Sequence, residues 1–153
     1  MAFLALNRHD NNLSKETGYP MRFTESLKYN RDFKWLYNRG ASIAAGYVVI
    51  YYRKTPNAKD GAKNRLGITV SKKLGNAVKR NRVRRLIKES YRLMEGNMSP
   101  GYSIVLVARM RAADCTFEQI KRDVSFLFKK SGIIKSAAAN SAAASLAAEK
   151  KPD

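Results

Sequence analysis

The sequence is poor in the residues that most often carry chemistry. It has one cysteine, Cys115, and one histidine, His9. A lone cysteine excludes a disulfide within the chain and suits a reducing compartment, so a cytoplasmic location is expected. One Cys and one His, far apart in the chain, cannot supply the ligands of a zinc site. Nor do they suit a Cys/His or Ser/His/Asp set for nucleophilic catalysis. Cys115 is expected to be a small buried residue at a helix entry. Long apolar runs are missing too. The longest, SIVLVA at 103–108, falls far short of the roughly 20 residues that cross a bilayer, so no membrane association is expected. The opening MAFLALNRHDNNLS has no basic segment before its brief apolar start and no small-residue cleavage pattern, so no signal peptide is expected.

Acid is scarce: 12 Asp+Glu stand against 30 Lys+Arg, a net charge of +18. A surface that serves solubility alone mixes both signs. This excess implies a polyanionic partner, nucleic acid ahead of an anionic membrane surface. At 153 residues and 44% hydrophobic, the chain has enough apolar material for one domain with tails. Residues 1–20 are polar and Asn-rich and read as a flexible extension. Residues 136–153 (SAAANSAAASLAAEKKPD) are Ala/Ser low complexity and read as a disordered tail. The folded domain is expected over 21–135.

Within it, a helix is expected to start with Asn30 as N-cap, set Phe33, Leu36 and Tyr37 on one face, and stop at Gly40. A strand follows over 46–52. Alternation puts Tyr47, Val49 and Tyr51 on one face and Val48, Ile50 and Tyr52 on the other. Residues 53–64, with Pro56 and the Asp60-Gly61 pair, read as a turn or hairpin loop. The next strand, 65–71, directs Leu66, Ile68 and Val70 to the core and presents Gly67, Thr69 and Ser71 as a small, polar face. After a basic helix come a turn at 99–101 and an apolar strand at 103–109, expected to be central and covered on both faces. The last helix opens with Thr116 and Gln119 at capping-box spacing, buries Phe117, Ile120, Val124, Leu127 and Phe128, and stops at Gly132. The order α-β-β-(β)-α-β-α, with one further short strand allowed, predicts an α+β sandwich with helices against a sheet.

The basic helix is the most informative stretch. Segment 72–92, KKLGNAVKRNRVRRLIKESYR, sets nine cations around one carboxylate, Glu89. At 100° per residue, Val83, Leu86, Ile87, Ser90, Tyr91, Leu93 and Met94 form a packing face. Asn81, Arg84, Arg85, Lys88 and Arg92 gather opposite, with Arg82 on one flank and Arg80 nearer the apolar side. A solvated face laced with ion pairs would need acids, and only Glu89 and Glu95 are near. A row of guanidiniums suits phosphate, since each planar fork grips two oxygens. Lys72, Lys73 and the Leu74-Gly75-Asn76 turn come before the helix. There Gly75 permits an unusual backbone angle, Asn76 can cap, and the helix N-terminus offers N–H donors to phosphate. No helix-turn-helix partner precedes it.

Segment 65–92, RLGITVSKKLGNAVKRNRVRRLIKESYR, resembles the signature of the protein subunit of bacterial ribonuclease P, with the Arg80-Asn81-Arg82 triplet as its hallmark. The stretches 26–33 (SLKYNRDF), 37–40 (YNRG) and 101–109 (GYSIVLVAR) are similar to that family's pattern as well, so the resemblance spans about 21–135. It implies an α+β sandwich with a left-handed βαβ crossover, where periodicity alone favours a right-handed one. It implies a partner RNA that is the catalyst, with Mg²⁺ at the RNA active centre and no cofactor held by the chain. It also implies a substrate, precursor tRNA, whose 5′ leader is removed. Carried over, Lys72, Lys73, Arg80, Asn81, Arg82, Arg84, Arg85 and Lys88 are expected at the catalytic RNA or near the cleavage site. Arg92 joins them from the helix wheel. The leader cleft between the first helix and the sheet is expected at Phe33, Tyr37, Val49, Tyr51 and Thr69, with Tyr47 on the same strand face. Such an aromatic face stacks bases without sequence choice. Residues 1–20 and the Ala/Ser tail lie outside the family pattern, and MRFTESL at 21–27 resembles a family start, so translation from Met21 is a further expectation.

Two other readings compete. A structural RNA-binding protein would carry similar charge without a leader cleft. A protein nuclease would need clustered His, Glu and Asp. The scattered acids Asp32, Asp60, Asp114, Glu118 and Asp123 read as caps, turns and helix surface instead.

Overall fold

Strands in which every second residue is apolar on one side and small or aromatic on the other build the centre of the molecule. The computed structural model describes residues 21–56 and 62–134; the extension at 1–20 and the tail at 136–153 lie outside the described residues. The elements run β1 (Thr24–Ser26), α1 (Asn30–Arg39), β2 (Ala41–Ala44), β3 (Val48–Lys54), β4 (Asn64–Thr69), α2 (Ala77–Met94), β5 (Tyr102–Ala108) and α3 (Phe117–Ser131). This is the expected α+β architecture. All five strands form one sheet in the order β1-β4-β5-β3-β2.

β5 is central, parallel to β4 and antiparallel to β3. Ser103 to Leu106 are buried and Val107 is half-buried, so β5 is covered on both faces over its middle, as its apolar run predicts. Its insertion corrects the reading of 53–64 as a possible hairpin loop: β3 and β4 are not neighbours. β4 and β5 are instead joined by the parallel crossover through α2. Three strands separate α1 from α2, the further short strand that the sequence allows being β2. β1, which pairs in parallel with β4, was not expected. Three residues, Thr-Glu-Ser, carry no readable alternation.

The two faces differ. Leu66, Ile68, Val48, Ile50, Ile104 and Leu106 point to one side. There they meet Val83, Ile87 and Tyr91 of α2 and Ile120, Val124, Leu127 and Phe128 of α3 in the main core. On the other side Leu27, Phe33, Leu36 and Val105 form a smaller cluster, flanked by Trp35, Tyr37, Tyr51 and Val107. The Tyr91 hydroxyl shares a 2.7 Å hydrogen bond with Thr24 Oγ1, tying α2 to the edge strand β1. Burial pushes that phenol's pKa well up.

Helix ends follow their local chemistry. Asn76 Oδ1 accepts from the Lys79 N–H at 3.0 Å. Thr116 and Gln119 complete the capping box. Gly132 closes α3 at φ 81°, in the left-handed region where a Cβ is strained. α1 differs from expectation: its N-cap is Tyr29, without a side-chain bond, and Asn30 is already helical. The Tyr29 carbonyl accepts from the Asp32 and Phe33 N–H groups, which closes the first turn. Cys115 is buried where α3 begins, as expected.

Candidate nucleic-acid interface

The sheet face under α1 is a grid of three rungs, set by the register of β4, β5 and β3. Arg65, Ser103 and Arg53 lie side by side; then Gly67, Val105 and Tyr51; then Thr69, Val107 and Val49. Successive rungs are about 7 Å apart, two residues of extended chain. α1 rests on the middle rung. Phe33, 1% exposed, packs against Gly67. A Cβ at position 67 would sit 2.5 Å from Cε1 and Cζ of that ring. Gly67 is therefore the residue that lets the helix dock.

Beside α1 the Thr69–Val107–Val49 rung is only partly covered: Thr69 is buried, whereas Val107 and Val49 are half-buried. Tyr37 projects over it, its ring edge-on to Tyr51 with centroids 4.9 Å apart. Its hydroxyl is 3.0 Å from Thr69 Oγ1. Tyr37, Val49, Tyr51 and Val107 are each half-buried, which leaves ring edges and faces for a flat ligand. Of the predicted cleft residues, Tyr37, Val49, Tyr51 and Thr69 come together here. Phe33 is beside them but belongs to the core. Tyr47 does not join them. It precedes β3, and the chain bends at 46–47, so the alternation read from 46 onward does not extend to it. Its N–H donates to Asp123 of α3 at 2.6 Å. Its ring packs on the main core with Arg111 stacked over it. Val107 completes the floor and was not anticipated. Only the pairing of β5 with both β4 and β3 places it next to Thr69 and Val49.

β4 carries the chain from this cleft to the cations. Two residues beyond Thr69, Ser71 caps a short 3₁₀ turn on which Lys72 and Lys73 are exposed. Gly75 then turns the chain at φ 159°, ψ −164°, a conformation L side chains rarely adopt, and α2 begins. On α2, Lys79, Asn81, Arg82 and Arg85 are exposed and Arg80 is half-buried. Arg82 also donates to the Cys115 carbonyl at 2.8 Å, and Lys79 pairs with Asp114 at 3.5 Å, so α2 is pinned to the loop before α3. Burial pushes the pKa of the Cys115 thiol up, away from the reactive thiolate.

Two predicted ridge residues fall elsewhere. Arg84 is 8% exposed and Lys88 fully buried. Arg84 Nη1 donates to Asn81 Oδ1 at 3.3 Å. The covered arc of α2 runs past Ile87 and Tyr91 to include both cations, while Leu86 and Leu93 at its other edge are half-buried and exposed. The wheel centred on Val83 is therefore rotated away from the true packing direction. Tyr91, reaching across to β1, marks that direction. Arg92 is half-buried and its guanidinium grips Glu89 through Nε, 3.0 Å from Oε2, and through Nη2 to Oε1. That hydrogen bond holds the Glu89 carboxyl below the usual carboxylate range. The exposed ridge is thus Lys72, Lys73, Lys79, Arg82 and Arg85.

Chemically, the ridge offers point and forked positive charge, and the cleft offers stacking surface with a hydroxyl pair. Among the described residues no three His, Cys, Asp or Glu side chains gather as a metal would require, and no helix is long and apolar enough to cross a membrane.

A family model described as ribonuclease P matches residues 21–132. The chain is 47% identical over 111 residues to the ribonuclease P protein component of Clostridioides difficile strain 630, covering 72% of this chain and 94% of that protein. It is 42% identical over 113 residues to the component from Clostridium novyi strain NT, covering 74% and 98%. Among solved structures, the RNase P protein of Staphylococcus aureus superposes with a TM-score of 0.64 at 34% identity, over 72% of this chain and 97% of that one. The protein from Thermotoga maritima does so with a TM-score of 0.60 at 29% identity, over 69% and 96%.

Proposed function

The chain belongs to the family of ribonuclease P protein components, and from that premise we propose how it serves the ribonucleoprotein. The exposed ridge of Lys72, Lys73, Lys79, Arg82 and Arg85 grips the phosphates of the catalytic RNA. The cleft of Tyr37, Val49, Tyr51, Thr69 and Val107 holds the single-stranded 5′ leader of precursor tRNA. Hydrolysis belongs to the RNA, with Mg²⁺ acting there, and the particle works in the cytoplasm. The chain's part is to bind and orient. Stacking on the tyrosines accepts any base, because every base has a π-face. The cations neutralise phosphate repulsion where two RNAs approach each other.

The observation that carries this reading is the continuity of β4. The strand that floors the cleft at Thr69 runs within three residues into Lys72 and Lys73, and then into α2. A strand of RNA leaving the cleft at that end meets the ridge at once. The mouth lies at the carboxyl ends of the parallel strands β4 and β5, where open sheets commonly place ligands.

Reconstitution tests it. The full chain is combined with transcribed cognate RNA and a precursor tRNA at low Mg²⁺. The protein alone should cut nothing. With the RNA it should raise cleavage and favour precursor over mature tRNA. Equal turnover with and without the protein would overturn the assignment; equal affinity for precursor and mature tRNA would reduce the chain to a scaffold.

A further inference from the structure

α1 divides its sheet face in two, and only one side is taken up by the cleft. On the other flank lies a cavity of about 370 Å³ lined by Arg31, Asp32, Trp35, Thr55, Arg65 and Ser103. Its floor is the Arg65 and Ser103 part of the first rung. Resting on the leader-cleft reading above, we propose that this cavity is a second station for the same single strand, one that takes a more 5′ nucleotide of the leader, base and phosphate together.

Three features point to that ligand. The first is charge: two guanidiniums, Arg31 and Arg65, line the cavity against the one carboxylate that lines it, Asp32. Glu25 is the cross-strand neighbour of Arg65 and does not line it. The second is preorganisation. Arg53 stacks on the Trp35 indole at 5.1 Å and Arg31 on the Tyr29 ring at 5.1 Å. Arg53 also donates to the Arg39 carbonyl at 3.3 Å. A guanidinium held flat on a ring keeps N–H groups at its edge for phosphate oxygens. The third is a small polar floor. Ser103 and Thr55 share a 3.1 Å hydroxyl contact, and Asp32 adds an acceptor for a base's amino group. An indole wall, arginine edges and hydroxyls make a nucleotide's complement, as in other single-strand sites. An apolar peptide would find too much charge here, and a bare anion would leave the indole unused.

The two stations lie on the same sheet face about 13 Å apart along β4, from Thr69 to Arg65, with α1 between them. A short leader therefore fills the cleft alone, and a longer one crosses α1 to reach Trp35. The test uses holoenzyme assembled from the full chain and cognate RNA, with precursor tRNAs whose leaders lengthen one nucleotide at a time. Affinity should rise in two steps. Arg65→Ala and Arg31→Ala, both exposed positions that leave folding intact, should abolish the second step, a loss of about five-fold or more for long leaders, and leave short-leader binding unchanged. Trp35→Ala should do the same; Trp35→Phe, which keeps a ring, should restore part of it. A single step, or equal losses for short and long leaders, overturns the second station. The cleft reading survives that outcome as long as a short leader still binds better than none and Tyr51→Ala removes the difference.

Discussion

The two faces of the sheet carry opposite burdens. One is closed by α2 and α3, 18 and 15 residues long, over a continuous apolar core. The other bears a single ten-residue helix, α1, about 15 Å long, which rests on the middle rung and leaves the rungs on either side only partly covered. The closed face holds the fold together. The half-covered face buries just enough to seat α1 and leaves aromatic and cationic positions partly exposed.

That contrast is sharpest between neighbours on one strand. Leu106 is fully buried in the main core and Val107 is half-buried in the cleft. Leu106→Ala should destabilise by about 2–5 kcal/mol through lost transfer energy and a cavity. Val107→Ala should leave the melting temperature nearly unchanged and weaken the preference for leader-bearing tRNA. Thermal denaturation of both, beside precursor binding, checks this; similar melting losses would erase the distinction between the faces.

The same contrast recurs within α2, between cations three residues apart. Lys88→Ala removes a fully buried side chain and should lower stability by about 2 kcal/mol or more. The salt dependence of RNA binding should not change. Arg85→Ala should leave stability alone and reduce the slope of log K against log salt by about 0.7–0.9, one phosphate contact. The reverse pattern would return Lys88 to the ridge and take Arg85 from it.

On the cleft side, Tyr51→Ala removes a stacking ring and should weaken leader-bearing RNA by about 1–3 kcal/mol. The edge-on contact with Tyr37 makes the pair one unit, so Tyr37→Ala combined with Tyr51→Ala should fall short of the sum of the two. Equal losses for precursor and mature tRNA would make both rings plain core.

Much of this was legible in the chain. The capping box at Thr116, the stop at Gly132, the central position of β5 and the opposed faces of β3 and β4 all follow from local chemistry and a period of two. What could not be read depended on pairing between distant segments. β1 is too short to show a period. Tyr47 fails the alternation because the chain bends before β3. Arg84 and Lys88 look solvent-facing when the wheel is centred on Val83. The helix is rolled toward β1, where Tyr91 bonds Thr24, and no spacing within α2 reports that. The pocket at Trp35 is least legible of all: its walls come from α1, β4, β5 and the segment after β3, and only the register brings Arg65 and Ser103 side by side.

The smallest expected effect separates a cation held by an acid from one that faces solvent. Glu89 is held below its ordinary pKa by Arg92. A carboxyl depressed in the folded state stabilises above its unfolded pKa, and that contribution is lost as pH falls through the folded value. Glu89→Gln should therefore destabilise at neutral pH by no more than about 0.5 kcal/mol, the range of an i,i+3 surface pair, and the two proteins should converge in acid. The substitution also removes the acid that Arg92 grips. If the pair is what withholds Arg92 from RNA, the salt slope of binding should steepen by up to about 0.9 in Glu89→Gln and return to its original value when Arg92→Ala is added. A slope indifferent to Glu89 would mean that burial, not pairing, keeps Arg92 out of the ridge, and melting curves that diverge on acidification would contradict the sign of the linkage.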